Sequence, residues 1–243
     1  MKAMVLAAGL GTRLRPLTND RPKALVEVGG RTMLEITLER LRAFGVQDVI
    51  VNVHHYADMI IRYLRAHENF GMRIEVSCEE ELLDTGGGIK KAAWFFLEDD
   101  QPFLVHNVDV LSTIDLGRLV SAHQDSGAMA TLAVQERKTS RYLLFDRDGT
   151  LCGRRGSADE LVRDCAAPAA LAFSGIHVLS PEVLRRMTEE GAFSIISTYL
   201  RLAGEGKKIA AFRADEYRWR DLGRVESVRE AERELEDPSQ RSL

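Results

Sequence analysis

The chain has 243 residues, enough for one large domain or two small ones with a core that needs no disulfides. Its formal net charge is −4 and no stripe of lysine and arginine dominates, so the composition argues against a nucleic-acid surface. No apolar stretch approaches a membrane span, and the N-terminal apolar run is too short for a secretion signal. The three cysteines lack a CxxC pattern, so we expect free thiols in the reducing cytoplasm. We expect the protein to be a monomer or a small homo-oligomer.

In the first half of the chain, strand and helix signals alternate, which is the pattern of an α/β fold. The periodicity predicts strands at residues 4–8, 48–53, 73–78 and 102–108. It predicts helices at residues 32–44, 56–70, 88–97 and 116–124.

The second half is richer in strand signals. Strands are predicted at residues 130–135, 142–146, 171–179, 208–213 and 217–220. Helices are predicted at residues 181–187, 195–203 and 225–236. Asp148-Gly149 is typical of a hairpin turn. Residues 154–169 have the weakest pattern, and they are either a mobile lid or an ordinary surface insertion.

A loop rich in glycine and basic residues, GLGTRLRPLTNDRPK, follows the first predicted strand. Gly9 and Gly11 let a ligand approach the backbone, and bare N–H groups at a strand-to-helix turn form an anion cradle. Arg13, Arg15 and Lys23 add positive charge. We interpret the loop as a polyphosphate site at the carboxyl end of a parallel sheet, against the alternative of a solvated turn.

Two familiar phosphate-binding motifs do not fit this loop. The P-loop pattern GxxxxGK[ST] is absent. In the dinucleotide pattern GxGxxG the third glycine is replaced by Leu14, and Pro16 and Pro22 prevent a continuous helix. These departures disfavour a nicotinamide-dependent (NAD(P)) oxidoreductase.

The loop and the following RPKALVEVGGRTMLE resemble the signature GxGTRLxPLTxxxPKxLxPVxxxPxL of the sugar-1-phosphate nucleotidyltransferases, or nucleotide-sugar pyrophosphorylases. The resemblance extends to about Glu236 and is strongest to short bacterial members. It implies a Rossmann-like three-layer α/β/α sandwich with a mostly parallel central sheet and a small added β-region in the second half. We expect a single domain, 1–243, in which 1–110 binds nucleotide, 111–236 binds sugar phosphate and 237–243 is a polar tail.

The implied reaction is Mg²⁺-dependent transfer of a nucleotidyl group from a nucleoside triphosphate (NTP) to a sugar 1-phosphate, which releases pyrophosphate. By the resemblance, Lys23 contacts the α-phosphate and Arg13 holds the departing phosphates. Asp109, at the end of the strand run FLVHNV, matches a metal ligand of the family, although Val108 stands where the family has glycine. Asp221, in RWRDLG, matches the second metal ligand, and its alternative role is a cap of the last helix.

The run ELLDTGGGI, residues 81–89, resembles the family's base-recognition region. Three glycines have no advantage inside a helix, so we expect them just before a helix, with a base or ribose on bare backbone. The predicted nucleotide contacts are Leu6, Ala7, Ala8, Gly9, Gly11, Thr12, Arg13, Lys23, Glu80, Asp84, Thr85, Gly86, Gly87 and Asn107.

Ser174 and Gly175, in LAFSGIHVL, match a family position beneath the sugar. The EKP segment that supplies a lysine to the sugar phosphate in many relatives is missing, and Arg154, with Arg155 and Arg163, is the candidate substitute. Trp219 is a wall of the sugar pocket or a core residue. The histidines show no zinc spacing, and we expect most of them to pack or form hydrogen bonds.

The base and the sugar stay open at this point. The glycine run favours UTP with an amino-sugar 1-phosphate such as N-acetylmuramate 1-phosphate, and the alternative is GTP with mannose or heptose 1-phosphate. A sensor that binds nucleotide-sugar without catalysis is a further alternative, which the presence of Lys23, Asp109 and Asp221 disfavours.

Overall fold

The computed structural model describes residues 1–236, so the predicted tail 237–243 lies outside the described residues. Its contacts divide it into two units. Unit 1 comprises Met1–Leu82, His106–Ile114 and the chain from Arg218 onward, and unit 2 comprises Leu83–Val105 and Asp115–Tyr217. This division does not follow the predicted halves 1–110 and 111–236, because the C-terminal segment folds with unit 1.

The strands of the described chain are β1 (Lys2–Leu6), β2 (Glu27–Val28), β3 (Arg31–Thr32), β4 (Asp48–Val53), β5 (Arg73–Cys78), β6 (Phe103–Asn107), β7 (Val110–Ser112), β8 (Ala130–Gln135), β9 (Tyr142–Phe145), β10 (Leu151–Arg155), β11 (Asp159–Leu161), β12 (Ala169–Leu179), β13 (Ile209–Arg213) and β14 (Trp219–Asp221). The α-helices are α1 (Met33–Ala43), α2 (Ala57–Ala66), α3 (Asp84–Lys91), α4 (Ala93–Phe96), α5 (Leu116–Ser126), α6 (Pro181–Arg185), α7 (Ile195–Gly204) and α8 (Val225–Glu236). None of these helices is long and apolar enough to cross a membrane.

The centre of unit 1 is a parallel arrangement of β1, β4 and β5, in which Leu6 is in register with Asn52 and Asn52 with Ser77. The side chains of β1 are all buried, as expected for parallel strands covered on both faces. Helix α1 begins with a capping arrangement, since the Thr32 hydroxyl accepts a hydrogen bond from the Glu35 N–H at 3.1 Å. Because β1, β4 and β5 are parallel, their carboxyl ends lie at the same edge of the sheet.

Unit 2 contains the strand order β11-β10-β9-β12-β8-β13, antiparallel except for β8 and β13. The predicted hairpin turn at Asp148-Gly149 is confirmed. Asp146 Oδ1 accepts the N–H groups of Asp148 and Thr150 at 3.0 and 2.9 Å, and Gly149 has a φ of 71°. The α/β class, the mostly parallel sheet and the added antiparallel region in the second half are thus confirmed.

Several predicted bounds are confirmed, namely β4, β5, β8 and α8. The strand predicted at 4–8 instead spans Lys2–Leu6, and the helix predicted over 56–70 ends at Ala66. Glu68, Asn69 and Phe70 have φ angles of 49°, 51° and 54°, which no α-helix allows. The short strands β2, β3, β7 and β11 were not predicted, because so few residues carry no readable alternation.

Candidate active site

The first loop follows β1 directly, and Lys23 closes it. A Cβ on Gly9 would lie 3.5 Å from Lys23 Nζ, and one on Gly11 would lie 3.1 Å from Lys23 Cβ. Gly11 has a φ of 63°, which a side chain rarely tolerates, and its carbonyl accepts the Thr18 hydroxyl at 2.9 Å. We call residues 7–23 the phosphate loop. Gly9 borders the Lys23 ammonium, and Gly11 lets the loop pass close to the Lys23 Cβ and to Thr18.

Other predicted nucleotide residues of unit 1 lie around the same strand ends. Leu6 ends β1, and Ala7 and Ala8 are buried at the start of the phosphate loop. Thr12 begins a short 3-10 turn that also contains Arg13. Asn107 ends β6, and Glu80 is exposed two residues beyond β5.

Lys23 and Asp109 form an ion pair, with Nζ 2.9 Å from Oδ2 and side chains that are 15% and 11% exposed. Asp109 lies between β6 and β7, at the carboxyl end predicted for it. Val108, which replaces the family's glycine, is buried, and its N–H donates to the Leu6 carbonyl at 3.2 Å. Its side chain belongs to the core, so the departure leaves the Asp109 carboxylate in place.

Asp221 is brought to Asp109 by the pairing of β14 with β7, in which Asp221 is in register with Val110. The Leu222 N–H donates to the Asp109 carbonyl at 2.8 Å. The Asp221 carboxylate accepts the Gly223 N–H at 2.6 Å. The first hydrogen bond of α8 runs to the Arg224 carbonyl, so Arg224 occupies the cap position that was the alternative for Asp221.

Gly223 lies beside both aspartates and was not predicted from the sequence. A Cβ at this position would lie 2.6 Å from Asp221 Oδ1, 2.9 Å from Arg13 Nη2 and 3.5 Å from Asp109 Oδ2. Two carboxylates and a guanidinium therefore surround one point, and only glycine leaves that point free. The available signal was the glycine two residues after Asp221 in RWRDLG.

The donor set fits a magnesium ion. Mg²⁺ takes one or two protein carboxylates and completes its shell with water and phosphate oxygens. Asp109 and Asp221 both place an oxygen within 3.5 Å of the Gly223 Cβ position. Residues 1–236 contain no cluster of three or more histidine, cysteine, aspartate or glutamate ligands, which zinc would require.

Two more residues that sequence reasoning missed lie behind the phosphate loop. The Asn52 side chain accepts the Ala7 N–H at 2.7 Å and donates to Glu79 Oε1 at 2.7 Å. The signal for Asn52 was a single amide within the otherwise apolar run VIVNV of β4. No sequence pattern marked Glu79, which precedes two further glutamates.

Three histidines near the strand ends and on β12 pack and form hydrogen bonds, as predicted. His54 Nδ1 donates to the Glu79 carbonyl at 2.9 Å, and His177 Nδ1 lies 2.7 Å from the Tyr199 hydroxyl. Burial lowers the pKa of His106 to about 4, so its ring is neutral at pH 7. Its Nδ1 donates to the Asn107 carbonyl at 2.8 Å.

In unit 2, the glycine run lies inside helix α3 and not before a helix, so that prediction is wrong. The N–H groups of Gly86 and Gly87 both donate to the Phe193 carbonyl, at 2.8 and 3.3 Å. A Cβ on Gly86 would overlap the Phe193 ring, and one on Gly87 would lie 2.5 Å from the Gly191 carbonyl oxygen. Close packing of α3 on residues 191–193 explains these glycines, and their N–H groups are already bonded within the chain.

Thr85 and Asp84 also serve the ends of helices. The Thr85 hydroxyl accepts the Ile195 N–H at 3.0 Å, at the start of α7. Asp84 is exposed, has a φ of 57° and accepts the Thr85 N–H at 2.6 Å through Oδ1. Among residues 84–87, Asp84 is exposed, whereas Gly86 and Gly87 are buried.

Ser174 and Gly175 lie on β12 where its register against β8 shifts between Phe173 and His177. Gly175 has a φ of 73°, a left-handed conformation that glycine adopts without steric cost. Bulges of this kind re-aim side chains and are enriched beside functional sites. The local backbone is therefore suited to a ligand position, although Ser174 itself is buried.

Arg154 is not a free cation. It pairs with Glu160 across β10 and β11, with Nη2 2.7 Å from Oε2. The other two candidate substitutes for the missing EKP lysine are paired as well, Arg155 with Asp159 at 2.8 Å and Arg163 with Asp146 at 2.7 Å. The segment 154–169 therefore contains an ordered hairpin strand. Trp219 lies in unit 1, in register with Ser112 on β7.

This arrangement defines a class: an α/β protein with a basic glycine loop after its first strand and two aspartates beside it. The family model described as Nucleotidyl transferase matches residues 2–238, and the chain belongs to that family. It is therefore an enzyme of the nucleotidyltransferase class.

Among known proteins, the chain is 39% identical over 241 residues to N-acetylmuramate alpha-1-phosphate uridylyltransferase of Caulobacter vibrioides, covering 96% of each chain. It is 32% identical to mannose-1-phosphate guanyltransferase of Candida albicans, covering 92% of this chain but 61% of that one. It spans 61% of the length of several such guanyltransferases.

Solved structures show the same fold. A complex of HddC from Yersinia pseudotuberculosis with GMP-PN superposes with a TM-score of 0.77 at 24% identity, covering 97% of this chain and 99% of that chain. A putative glucose-1-phosphate thymidylyltransferase from Bacillus anthracis superposes with a TM-score of 0.80 at 16% identity, covering 100% of this chain and 96% of that chain.

Proposed function

We propose that this enzyme transfers the nucleotidyl group of an NTP to a sugar 1-phosphate in the presence of Mg²⁺, giving a nucleotide-sugar and pyrophosphate. The observation that carries the proposal is the cluster of Arg13, Lys23, Asp109 and Asp221 around Gly223. Two cations suit the phosphates, and two carboxylates suit a hard dication.

UTP with an amino-sugar 1-phosphate, such as N-acetylmuramate 1-phosphate, is the proposed substrate pair. Its support is the uridylyltransferase relative, which matches this chain over 96% of both lengths. The glycine run no longer supports this choice, because packing accounts for Gly86 and Gly87. GTP with mannose or heptose 1-phosphate is the second candidate, supported by the guanyltransferases at 31–32% identity.

The chemistry requires no general base, and we assign none. The nucleophile is a phosphate monoester whose second pKa is about 6, so it is already ionised at neutral pH. Catalysis then depends on in-line positioning and on neutralising charge. In this proposal Lys23 holds the α-phosphate, and Arg13 grips the departing pyrophosphate with its planar guanidinium.

Asp109 and Asp221 are the residues that would hold Mg²⁺. When bound, the ion supplies positive charge to the phosphate oxygens. Without ligand, the Lys23 ammonium neutralises Asp109. If a cation neutralised the Asp109 carboxylate instead, the ammonium would be available to the α-phosphate. Such a change of partner keeps both charges compensated at each stage.

On the sugar side, we propose that the sugar 1-phosphate lies against Ser174 and Gly175 of unit 2. The register shift in β12 supports this position. In this proposal Arg154 reaches the phosphate only by leaving Glu160. The thiols, which include exposed Cys78 and buried Cys152, support a reducing compartment such as the cytoplasm.

The test is a matrix of four NTPs against amino-sugar, hexose and heptose 1-phosphates, with pyrophosphate release measured over a Mg²⁺ titration. We expect the UTP and amino-sugar pair to give the highest kcat/KM and no release without a divalent ion. A GTP preference would select the second candidate. Binding of a nucleotide-sugar without any pyrophosphate release would select the sensor.

A further inference from the structure

Two buried polar residues lie behind the phosphate loop. Asn52 is 2% exposed in β4, where its neighbours from Val49 to Val53 are apolar. Glu79 follows β5 and is 5% exposed. Burying an amide and a carboxyl is unfavourable unless their hydrogen bonds are made. An apolar pair at these strand ends would avoid this desolvation cost.

The hydrogen bonds of this pair are directional. Asn52 Oδ1 accepts the Ala7 N–H and Nδ2 donates to Glu79 Oε1, both at 2.7 Å. Glu79 is held by its backbone as well, since its N–H donates to the Val53 carbonyl at 2.7 Å and its carbonyl accepts His54 Nδ1 at 2.9 Å. Glu79, Asn52 and Ala7 thus form one chain of contacts across β5, β4 and β1, which we call the relay.

The chemistry of the amide allows one orientation. A reversed Asn52 would set its NH₂ against the Ala7 N–H and its oxygen against the Glu79 carboxyl, and both contacts would be repulsive. The relay therefore aims the Ala7 N–H into β4. Ala7 is the first residue after β1, and Gly9, whose open side faces Lys23, is two residues further on.

We propose that Asn52 and Glu79 are positioning residues that set the backbone of the phosphate loop for the nucleotide, acting through the Ala7 N–H. Glycines leave space in the loop but also give its backbone more conformational freedom. A hydrogen bond that fixes Ala7 at the start of the loop reduces the conformational entropy lost when the nucleotide binds. Glu79 serves as a hydrogen-bond acceptor, so glutamine can replace it. The nature of the ligand rests on the proposed function, whereas the anchoring does not.

The test compares Asn52→Leu, Glu79→Leu and Glu79→Gln with wild type by calorimetric titration of UTP in the presence of Mg²⁺. The matched control is Tyr63→Phe, which removes a 2.8 Å hydrogen bond to Glu35 and a 3.1 Å hydrogen bond from Thr32, both outside residues 7–23. We expect the UTP Kd to rise about tenfold in both leucine variants, equal to about 1.4 kcal/mol. In Glu79→Gln and in the control, the Kd should rise less than about twofold. An unchanged Kd in Asn52→Leu overturns the relay. Equal losses in Glu79→Gln and Glu79→Leu would make the charge itself a ligand and overturn it too.

Amide hydrogen exchange without ligand separates this inference from the proposed function. The peptide covering residues 4–14 should exchange at least about tenfold faster in Asn52→Leu than in wild type, and at the wild-type rate in Glu79→Gln and Tyr63→Phe. If wild type binds no NTP, the proposed function fails and this measurement alone decides on the anchoring. Equal exchange in wild type and Asn52→Leu overturns it, whatever the ligand is.

Discussion

Around Gly223, two positive and two negative side chains compensate one another before any substrate arrives. The Lys23 ammonium pairs with Asp109 at 2.9 Å, and Arg13 and Asp221 both lie within 3 Å of a Cβ position on Gly223. A dication would take the carboxylates and phosphates would take the cations. The proposed function therefore requires a ligand that brings both charges at once.

Substituting either aspartate tests this arrangement. Asp109→Asn and Asp221→Asn should each lower kcat by at least about a hundredfold, because each removes an anionic ligand at nearly constant shape. Pyrophosphate release gives kcat, and electron paramagnetic resonance of Mn²⁺ gives metal affinity. Exposed Asp125→Asn is the matched control. Near-normal metal-dependent turnover in a site variant would remove that residue from the ligand set.

Lys23→Ala should lower kcat more than it raises the KM for UTP, since charge builds at the α-phosphate in the transition state. The same variant should bind Mn²⁺ more tightly in the absence of nucleotide, because the Asp109 carboxylate loses its competing ammonium. Steady-state kinetics and Mn²⁺ titration measure the two effects, with exposed Lys91→Ala as the control. An effect confined to KM would contradict the assigned role.

At the scale of elements, helix α3 depends on its glycines for close packing. Gly86→Ala should lower the free energy of unfolding by about 1–3 kcal/mol, because the new methyl group overlaps the Phe193 ring. The loss should be smaller in a Phe193→Ala background, which removes the ring. Urea unfolding of the four proteins measures both. Unchanged stability in Gly86→Ala, with UTP binding abolished, would restore the base-contact interpretation.

Helix α5 is joined to β8 and to Ser180 by His123, whose ring nitrogens lie 3.0 Å from the Thr131 hydroxyl and 3.1 Å from the Ser180 hydroxyl. Burial lowers the pKa of His123 to about 4, below the unfolded value of about 6.5. Between these values the unfolded chain binds more protons, so stability must rise with pH and is lost as pH falls from about 6.5 to about 4.

His123→Gln should flatten this dependence, by up to about 1.4 kcal/mol for each pH unit within that window. Urea unfolding at pH 5, 6 and 7 measures the slope. Gln124→Asn, at an exposed position on α5 without a titratable group, is the control and should leave the slope unchanged. A wild-type slope in His123→Gln would show that this ring does not titrate between the two states.

At the scale of the whole molecule, binding should appear as stabilisation. UTP with Mg²⁺ at about a hundred times its Kd should add about 2.7 kcal/mol to the free energy of unfolding, and a thermal shift assay reads this as a higher Tm. GTP should raise Tm less, and Asp109→Asn should lose the increment due to Mg²⁺. A larger shift with GTP than with UTP would reverse the proposed order of substrates.

The spacing of apolar residues predicted several elements correctly, and the bounds of β4, β5, β8 and α8 are those expected from their patterns. The end of α2 was not readable, because apolar spacing continues through Phe70 while three positive φ angles stop the helix. The position of the glycine run was not readable either. Glycine permits a bare turn and close helix packing alike, and only the neighbouring chain at 191–193 distinguishes them.

The sequence by itself determined the α/β class, the phosphate loop and the charged residues at its strand ends, because periodicity and spacing are local properties. Tertiary structure decided which charges meet. The pairing of β14 with β7 brings Asp221 to Asp109, and packing around Gly223 adds Arg13. Tertiary structure also decided that Asn52 reaches Ala7. Partners more than forty residues apart in the chain leave no local pattern, so only the folded molecule specifies them.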